Sequence, residues 1–343
     1  MGERSGNELV FPRVLNVFSI HFRFLQITFG YIEGRILVAL VLLPLFFRGQ
    51  VFTSYEVLQS RFGVTTRRGA SLLFLVTRNL SDALRLFLNA LAFQQETGLA
   101  LSHCVIALGI VTIIYTLVGG AKAVVWNDCL QFAVYMLGAA ATLYVIATRL
   151  PGGVEQIFEY GTELEKLRLF DFRLGLESPM SFWAGLVGGV FLTAATHGTD
   201  QLMVQRYLSA KDKLSASWAL VLSGFVVCVQ FALFLAIGLA LACFYDSQAA
   251  QTTGENISND GIFAHFIVNE LGIGLVGITL AAVFAAAMST LSSSLNSSAT
   301  ALVNDIYLPL TKAELTAKQQ LRISRIATLF FGVVQICIAI ASQ

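Results

Sequence analysis

Eight apolar runs, with the charged residues clustered mostly between them, constrain this chain more than any other feature. They fall at about 34–58, 69–96, 100–118, 123–148, 181–204, 214–244, 272–304 and 321–342. A helix needs ~20 mostly apolar residues to cross the hydrocarbon core of a bilayer. Membrane strands alternate apolar and polar residues, and these runs do not. Of the 343 residues, 56% are hydrophobic and 13% charged, against about 25% charged in a soluble domain. In water such a chain would expose large apolar patches. It is therefore read as an all-α, multi-pass membrane protein with one transmembrane domain over 1–343. The segment 1–23 is atypical, because Arg13, His21 and Arg23 interrupt its apolar stretches. Phe24–Gly34 is read as a half-helix, tolerated in a membrane only where protein or a cavity covers its broken end.

The loops carry an orientation. One set holds Arg61, Arg67 and Arg68, then Lys122, then Arg206, Lys211 and Lys213, then Lys312, Lys318, Arg322 and Arg325. The alternate set holds Arg149, Lys166, Arg168 and Arg173, and the loop 245–271 has no Lys or Arg. Cytoplasmic loops are enriched in Lys and Arg, so the first set faces the cytoplasm. In the outer loop 149–180, the charged stretch Glu163 to Arg173 is expected as a surface helix. A second amphipathic piece, GIFAHFIVNELG, is expected on the outer face within 245–271.

Several function classes drop out. A net charge of +1 offers nothing to a nucleic acid. The five cysteines have no metal-like or redox-like spacing and read as small buried hydrophobes. There is no HExxH, nucleophile–base pairing or phosphate loop, so neither an enzyme nor an organic cofactor is expected.

Polar residues inside the apolar runs mark candidate sites. Arg78, Asp82, Arg85 and Asn89 are spaced 4, 3 and 4 apart, on one helical face. A charge at the centre of a spanning helix costs at least ~2.5–3.5 kcal/mol, so these groups should pair and face the protein or water. Asp82 pairs with one arginine, which leaves one positive charge over. That charge either attracts an anionic substrate or belongs to a structural ion-pair ladder. In 272–304, Ser289, Ser293, Asn296 and Thr300 form a stripe, with Thr290, Ser294 and Ser297 beside it. Hydroxyl and carbonyl oxygens suit a hard cation such as sodium, and small residues suit close helix packing. Both readings stay open on the residues alone. Gly119-Gly120 reads as a cytoplasmic turn, with Asp128 near the start of the next helix, where capping alone would account for it. Thr193, Thr196 and His197 precede Gly198, a combination that suggests a broken helix. Broken helices at mid-membrane point to transporter binding sites.

Four stretches in register resemble the sodium/solute symporter family of sugar, proline, sialic acid, vitamin and monocarboxylate carriers. They are Tyr55-Glu56-Val57-Leu58-Gln59-Ser60-Arg61-Phe62-Gly63; Tyr115-Thr116 through Gly119-Gly120 to Trp126-Asn127-Asp128 and Gln131; Gly198-Thr199-Asp200-Gln201 to Val204-Gln205-Arg206-Tyr207-Leu208; and Phe284-Ala285-Ala286-Ala287-Met288-Ser289-Thr290-Leu291-Ser292-Ser293. The likeness runs from about residue 24 to the end. It implies a LeuT-type inverted-repeat helical bundle that moves a solute by alternating access, driven by inward sodium flow, with no cofactor beyond the coupling ion. It places sodium ligands on Ala286 (carbonyl), Ser289 and Thr290 (hydroxyls). It gives Asp128 a role in ion coupling or a second ion site. It puts Thr193, Thr196 and His197 on the substrate side, with Arg85, Asp82 and Asn89 facing the cavity. Thr196 and His197 stand where sugar carriers have an aromatic gate, which turns the expectation toward a carboxylate such as a sialic or other organic acid. A sugar is the other solute considered.

The resemblance also implies a leading helix and a broken first core helix before Phe24, and a tenth core helix after Gln343. The chain is accordingly expected to be a partial copy. The expected partners are sodium, a small solute and the lipid bilayer, with no nucleic acid, and the expected location is a bacterial-type inner (plasma) membrane. A transporter-like membrane sensor module and an inactive truncated symporter remain as alternatives.

Overall fold

The computed structural model describes residues 22–47, 53–174, 181–248, 266, 270, 273–311 and 315–342. These residues are helical or irregular, with no strand among them. The segment 1–21 and most of the amphipathic piece at 261–272 lie outside the described residues.

Helix α1 spans Phe22–Phe47, so Phe24–Gly34 is not a half-helix: it continues without a break into the apolar residues that follow Gly34. Short α2 (Glu56–Phe62) leads into α3 (Val64–Thr97). Gly63 joins them at φ 86°, and Gly98 ends α3 at φ 69°, both conformations that a side chain disfavours. Helix α4 runs unbroken from Leu101–Arg149. Then come α5 (Gly153–Glu163), α6 (Phe182–Gly198), α7 (Gln201–Leu208), α8 (Lys213–Gln248) and α9 (Ile273–Ala301). Helix α10 (Ala317–Ala341) opens with a capping box in which Thr316 and Gln319 each bond the other's backbone N–H.

Five helical stretches are long and apolar enough to span a bilayer: Phe22–Phe47, Leu101–Val118, Asp128–Arg149, Lys213–Ser247 and Ala317–Ala341. Of the other expected spans, α3 carries the charged face, α6 has 17 residues, and α9 has 29 with no charged residue. The chain is an integral, multi-pass membrane protein.

Two expectations fail for identifiable reasons. The turn at Gly119-Gly120 does not form. Glycine costs a helix about 1 kcal/mol relative to alanine, but no proline enforces a break there, and helical bonding continues to Arg149. Asp128 is thus inside a helix rather than at its start, and capping does not account for it. The outer surface helix lies at Gly153–Glu163, not across Glu163 to Arg173. It stops where Glu165 takes a left-handed φ of 51°.

Two π turns, Val38–Leu42 in α1 and Leu302–Tyr307 after α9, each precede a proline, Pro44 and Pro309. A proline ring clashes with the carbonyl four residues back and offers no N–H to it. The wider turn relieves that clash without ending the helix. After Leu302–Tyr307 the helix goes on as Leu308–Thr311.

The chain forms two compact units. The first draws on Met1–Arg35, Val134–Thr193 and Val221–Ala281, so far as they are described. Its apolar core gathers Ile146, Ile157, Ala240, Phe244 and Phe266. In the same unit α1 crosses α6 on glycines. A Cβ on Gly30 would lie 2.4 Å from the Leu186 carbonyl oxygen, and one on Gly189 would lie 2.7 Å from that of Ile27. The small-xxx-small spacings 30/34 and 185/189 let the two backbones touch.

The second unit draws on Ile36–Ala133, Ala194–Leu220 and Ala282–Gln343. Its core joins Phe74, Ile113, Leu295 and Phe331, and beside it Leu86, Val105, Leu291 and Ala339. Polar contacts pin its helices as well. Arg67 donates to Asp305 (2.8 Å), Gln59 (2.7 Å), Glu56 (2.8 Å) and the Asn304 carbonyl (3.0 Å). Asn79 accepts from Gln335 at 2.9 Å, tying α3 to α10.

Candidate functional site

The site grows from the serine run of α9, within the second unit. Ser292, Ser294, Ser297 and Ser298 are wholly buried, and Ser293 nearly so. Their small side chains leave room for other helices to approach, and each hydroxyl can serve a different neighbour.

On one side stands the charged face of α3. Asp82 is wholly buried. Its carboxylate accepts from Arg78 Nε at 3.0 Å, from Arg85 at 3.2 Å and from the Ser294 hydroxyl. Arg78 Nε also reaches Ser294 Oγ at 2.9 Å. The sequence left one positive charge over, and the structure supplies its balance. The Asp200 carboxylate lies 3.9 Å from Arg78, so two arginines face two carboxylates. Asp200 stands there because the expected break in 181–204 occurs at Thr199-Asp200, and the same side chain caps α7 by accepting from the Leu202 N–H at 2.9 Å. Arg85 is about half exposed, at 47%. Apart from Asp82, its guanidinium has no partner among the described residues. Asn89, one turn on, is half-buried and does not join the cluster.

On another side stands Asp128 of α4. Its Oδ2 accepts from the Arg206 guanidinium of α7 at 2.7 Å and from the Ser293 hydroxyl at 3.3 Å. Arg206 also donates to Ser293 Oγ at 2.7 Å. Nearby, Gln205 donates to Thr300 at 3.0 Å, and Tyr115 is hydrogen-bonded to Ser292. A carboxylate, a hydroxyl and a guanidinium thus meet at one point, with Asp128 mostly covered and Arg206 41% exposed.

The remaining predicted residues are spread differently. Positions 286, 289 and 290 lie on helical backbone in α9, spaced to share a face. Thr290 is half-buried, while the side chains of Ala286 and Ser289 lie outside the described residues. Thr193 is buried in the first unit, its Cβ 2.7 Å from where a Cβ on Gly34 would stand. That packing turns Thr193 toward α1. In the second unit, the Thr196 hydroxyl and His197 Nδ1 are 2.9 Å apart, with Thr196 exposed and His197 half-buried.

The sequence reading used Arg206 only as a topological marker. It stands 78 residues from Asp128, too far for helical spacing to link them. One sign was present: a lone arginine eight residues after the Gly198 break, on a short helix with no acidic partner of its own.

The family model "Sodium:solute symporter family" matches residues 16–343. The chain is 31% identical over 324 residues to sodium-coupled monocarboxylate transporter 2 of Homo sapiens, covering 93% of this chain and 52% of that protein. It is 31% identical over 317 residues to the sodium-dependent multivitamin transporter of Oryctolagus cuniculus, covering 91% and 49%. It is 30% identical over 303 residues to the sodium/sialic acid symporter NanT of Aliivibrio fischeri, covering 86% and 60%. The chain therefore spans about half the length of the curated relatives it matches. Among solved structures, the substrate-bound outward-open state of a sodium-coupled sialic acid symporter superposes with a TM-score of 0.80 at 26% identity, covering 95% of this chain and 72% of that one. The helices have the LeuT-type arrangement, and the chain belongs to the sodium:solute symporter family.

Proposed function

We propose that this protein is a secondary active transporter that couples inward sodium flow to uptake of a small organic solute by alternating access. The observation that carries the reading is the convergence on one serine-rich helix. Ser293 meets the Asp128 carboxylate and Ser294 meets the Asp82 carboxylate, one helical position apart. Hard cations take carboxylate, hydroxyl and carbonyl oxygens; α9 offers hydroxyls and backbone carbonyls, and α3 and α4 bring the carboxylates beside it.

Sodium is assigned to the Ala286 carbonyl and the hydroxyls of Ser289 and Thr290. Asp128, with Ser293, is assigned a second ion or coupling site. There the Arg206 guanidinium holds the carboxylate, so an arriving sodium ion exchanges for a tethered cation rather than entering an empty pocket. On the substrate side, Arg85 offers a half-exposed guanidinium whose fork geometry matches a carboxylate. Asp82 orients it, and Asn89, Thr193, Thr196 and His197 are the further candidates. Two of the named relatives are carriers of monocarboxylates and sialic acid, both anions, and this supports an anionic solute over a sugar. The membrane is assigned as a bacterial-type inner (plasma) membrane.

The test is uptake of labelled organic acids and sugars by the chain in proteoliposomes with an imposed inward sodium gradient. Accumulation is expected for a carboxylate and should vanish when the gradient is collapsed. Ser289→Ala with Thr290→Ala should raise the sodium concentration for half-maximal uptake by about tenfold, the effect of roughly 1.4 kcal/mol. Uptake indifferent to sodium in the unaltered protein sinks the reading.

A further inference from the structure

A groove of about 430 Å³ opens between α4 and α10 in the second unit. Leu117 and Val118 line one wall, and Arg322, Arg325, Ile326 and Leu329 line the other. The two helices touch closely just before it. A Cβ on Gly109 would stand 2.4 Å from Ile336 Cγ1, and one on Gly332 would stand 2.4 Å from Ile113 Cγ1. One turn further, at Leu117 and Leu329, the walls part.

The groove has two chemistries in order. Its membrane-directed part is apolar: Val118 is 80% exposed and Ile326 59%. Its loop end carries two arginines, three residues apart on one face of α10. Among the described residues neither has an ion-pair or hydrogen-bond partner, and no acidic side chain lines the groove. Seven other arginines, by contrast, stand in ion pairs: Arg23, Arg67, Arg78, Arg85, Arg149, Arg173 and Arg206. The basic residues around the start of α10, Lys312, Lys318, Arg322 and Arg325, put that end of the helix at the cytoplasmic surface.

We infer that this groove binds an anionic phospholipid of the cytoplasmic leaflet, with its phosphate on Arg322 and Arg325 and the start of an acyl chain along Leu117, Val118, Ile326 and Leu329. A guanidinium fork suits phosphate oxygens, and basic pockets between helices on this side of a membrane take acidic headgroups. A neutral lipid would fill the apolar part and leave both charges uncompensated. A free phosphate would meet the charges and leave the apolar walls bare. The inference rests on the groove and the topology, not on the transport reading.

The test is native mass spectrometry of the delipidated chain in detergent, titrated with phosphatidylglycerol or phosphatidylcholine of the same acyl chains. Preferential retention of phosphatidylglycerol is expected. Arg322→Gln with Arg325→Gln should cut that preference about thirtyfold, taking ~1 kcal/mol per basic residue at the membrane surface. Val118→Trp, which keeps both arginines and fills the groove, should weaken binding of both lipids. Lys211→Gln with Lys213→Gln, exposed on the same side, should leave the preference unchanged. Glycerol phosphate, the headgroup without chains, should not compete at lipid-saturating concentration. Equal retention of the two lipids by the unaltered chain would overturn the inference. So would a preference that survives in the double arginine variant, or displacement by glycerol phosphate alone. A binding loss accompanied by a broadened charge-state envelope is read from Arg322→Lys with Arg325→Lys instead. That charge-keeping variant must retain preference, and failure to do so counts against the inference.

Discussion

The hydroxyl of Ser294 on α9 donates to the same carboxylate oxygen of Asp82 that receives the Nε–H of Arg78. A wholly buried carboxylate is thus shared between a neutral donor and a cation. Charge and hydroxyl do different amounts of work there. Removing one member of a buried ion pair strands the other and costs about 3–5 kcal/mol, while a hydrogen bond to a charged group contributes about 1.5–3 kcal/mol.

Asp82→Asn should therefore lower the thermal midpoint in detergent well beyond Ser294→Ala, because the only carboxylate left to Arg78 among the described residues would be Asp200, at 3.9 Å. The double variant should be less damaging than the sum of the two, since both act through one oxygen. Equal midpoints for the two single variants would show that the charge is not what this cluster needs.

The α1–α6 crossing gives a sharper contrast between neighbouring positions. Gly189→Ala would set a Cβ 2.7 Å from the Ile27 carbonyl oxygen, a backbone atom that cannot swing aside. Gly188→Ala meets nothing within 4 Å and gains helix propensity of up to about 1 kcal/mol. The first should destabilise by about 1–3 kcal/mol, as overpacking does, and the second should be neutral or stabilising. Thermal unfolding of the two variants side by side decides it, and a midpoint for Gly189→Ala at or above that of Gly188→Ala would be the wrong order.

These two relationships differ in how far the sequence revealed them. The 4, 3, 4 spacing of Arg78, Asp82, Arg85 and Asn89 announced a pairing face, because a helix repeats every 3.6 residues. The serine stripe and the break after Gly198 were visible for similar local reasons. Asp200 as the balance for Arg78, and Arg206 as the partner of Asp128, were not visible. Both depend on where the Thr199-Asp200 break aims the chain, which is a tertiary matter. The turn expected at Gly119-Gly120 shows the opposite error. Two glycines permit a turn but do not impose one, whereas Pro44 and Pro309 did impose local distortion, and π turns absorbed it.

Acid should act on the outer loop first. Asp171 lies outside the spans. The Arg173 guanidinium, bonded to both carboxylate oxygens at 2.8 and 2.6 Å, holds its carboxyl well below the usual range, with Arg23 contributing from 3.6 Å. A group whose folded value is depressed contributes stability above its unfolded value of about 3.9 and loses it as pH falls further toward the folded value. The thermal midpoint should thus show an acid-side decline below about pH 4 that is shallower in Asp171→Asn. Identical pH profiles for the two proteins between pH 3 and 6 would remove Asp171 from the account.

The exchange of cations at Asp128 makes the most specific claim on coupling. Arg206 contacts both Asp128, at 2.7 Å, and Ser293, at 2.7 Å, so the two oxygens assigned to sodium are the two it occupies. If the guanidinium and the ion compete, removing the guanidinium favours the ion. The pair is partly exposed, so its contribution is modest, about 1 kcal/mol, which corresponds to roughly fivefold in affinity. Arg206→Gln should accordingly lower the sodium concentration for half-maximal uptake about fivefold, and Arg206→Lys should fall between it and the unaltered protein. Asp128→Asn should raise that concentration, and in its presence Arg206→Gln should have no further effect, because the contested charge is gone. The measurement is initial uptake rate against sodium concentration for the four proteins of that cycle. An Arg206→Gln effect that persists undiminished in the Asp128→Asn background would mean that Arg206 acts through another contact, and the competition would have to be abandoned.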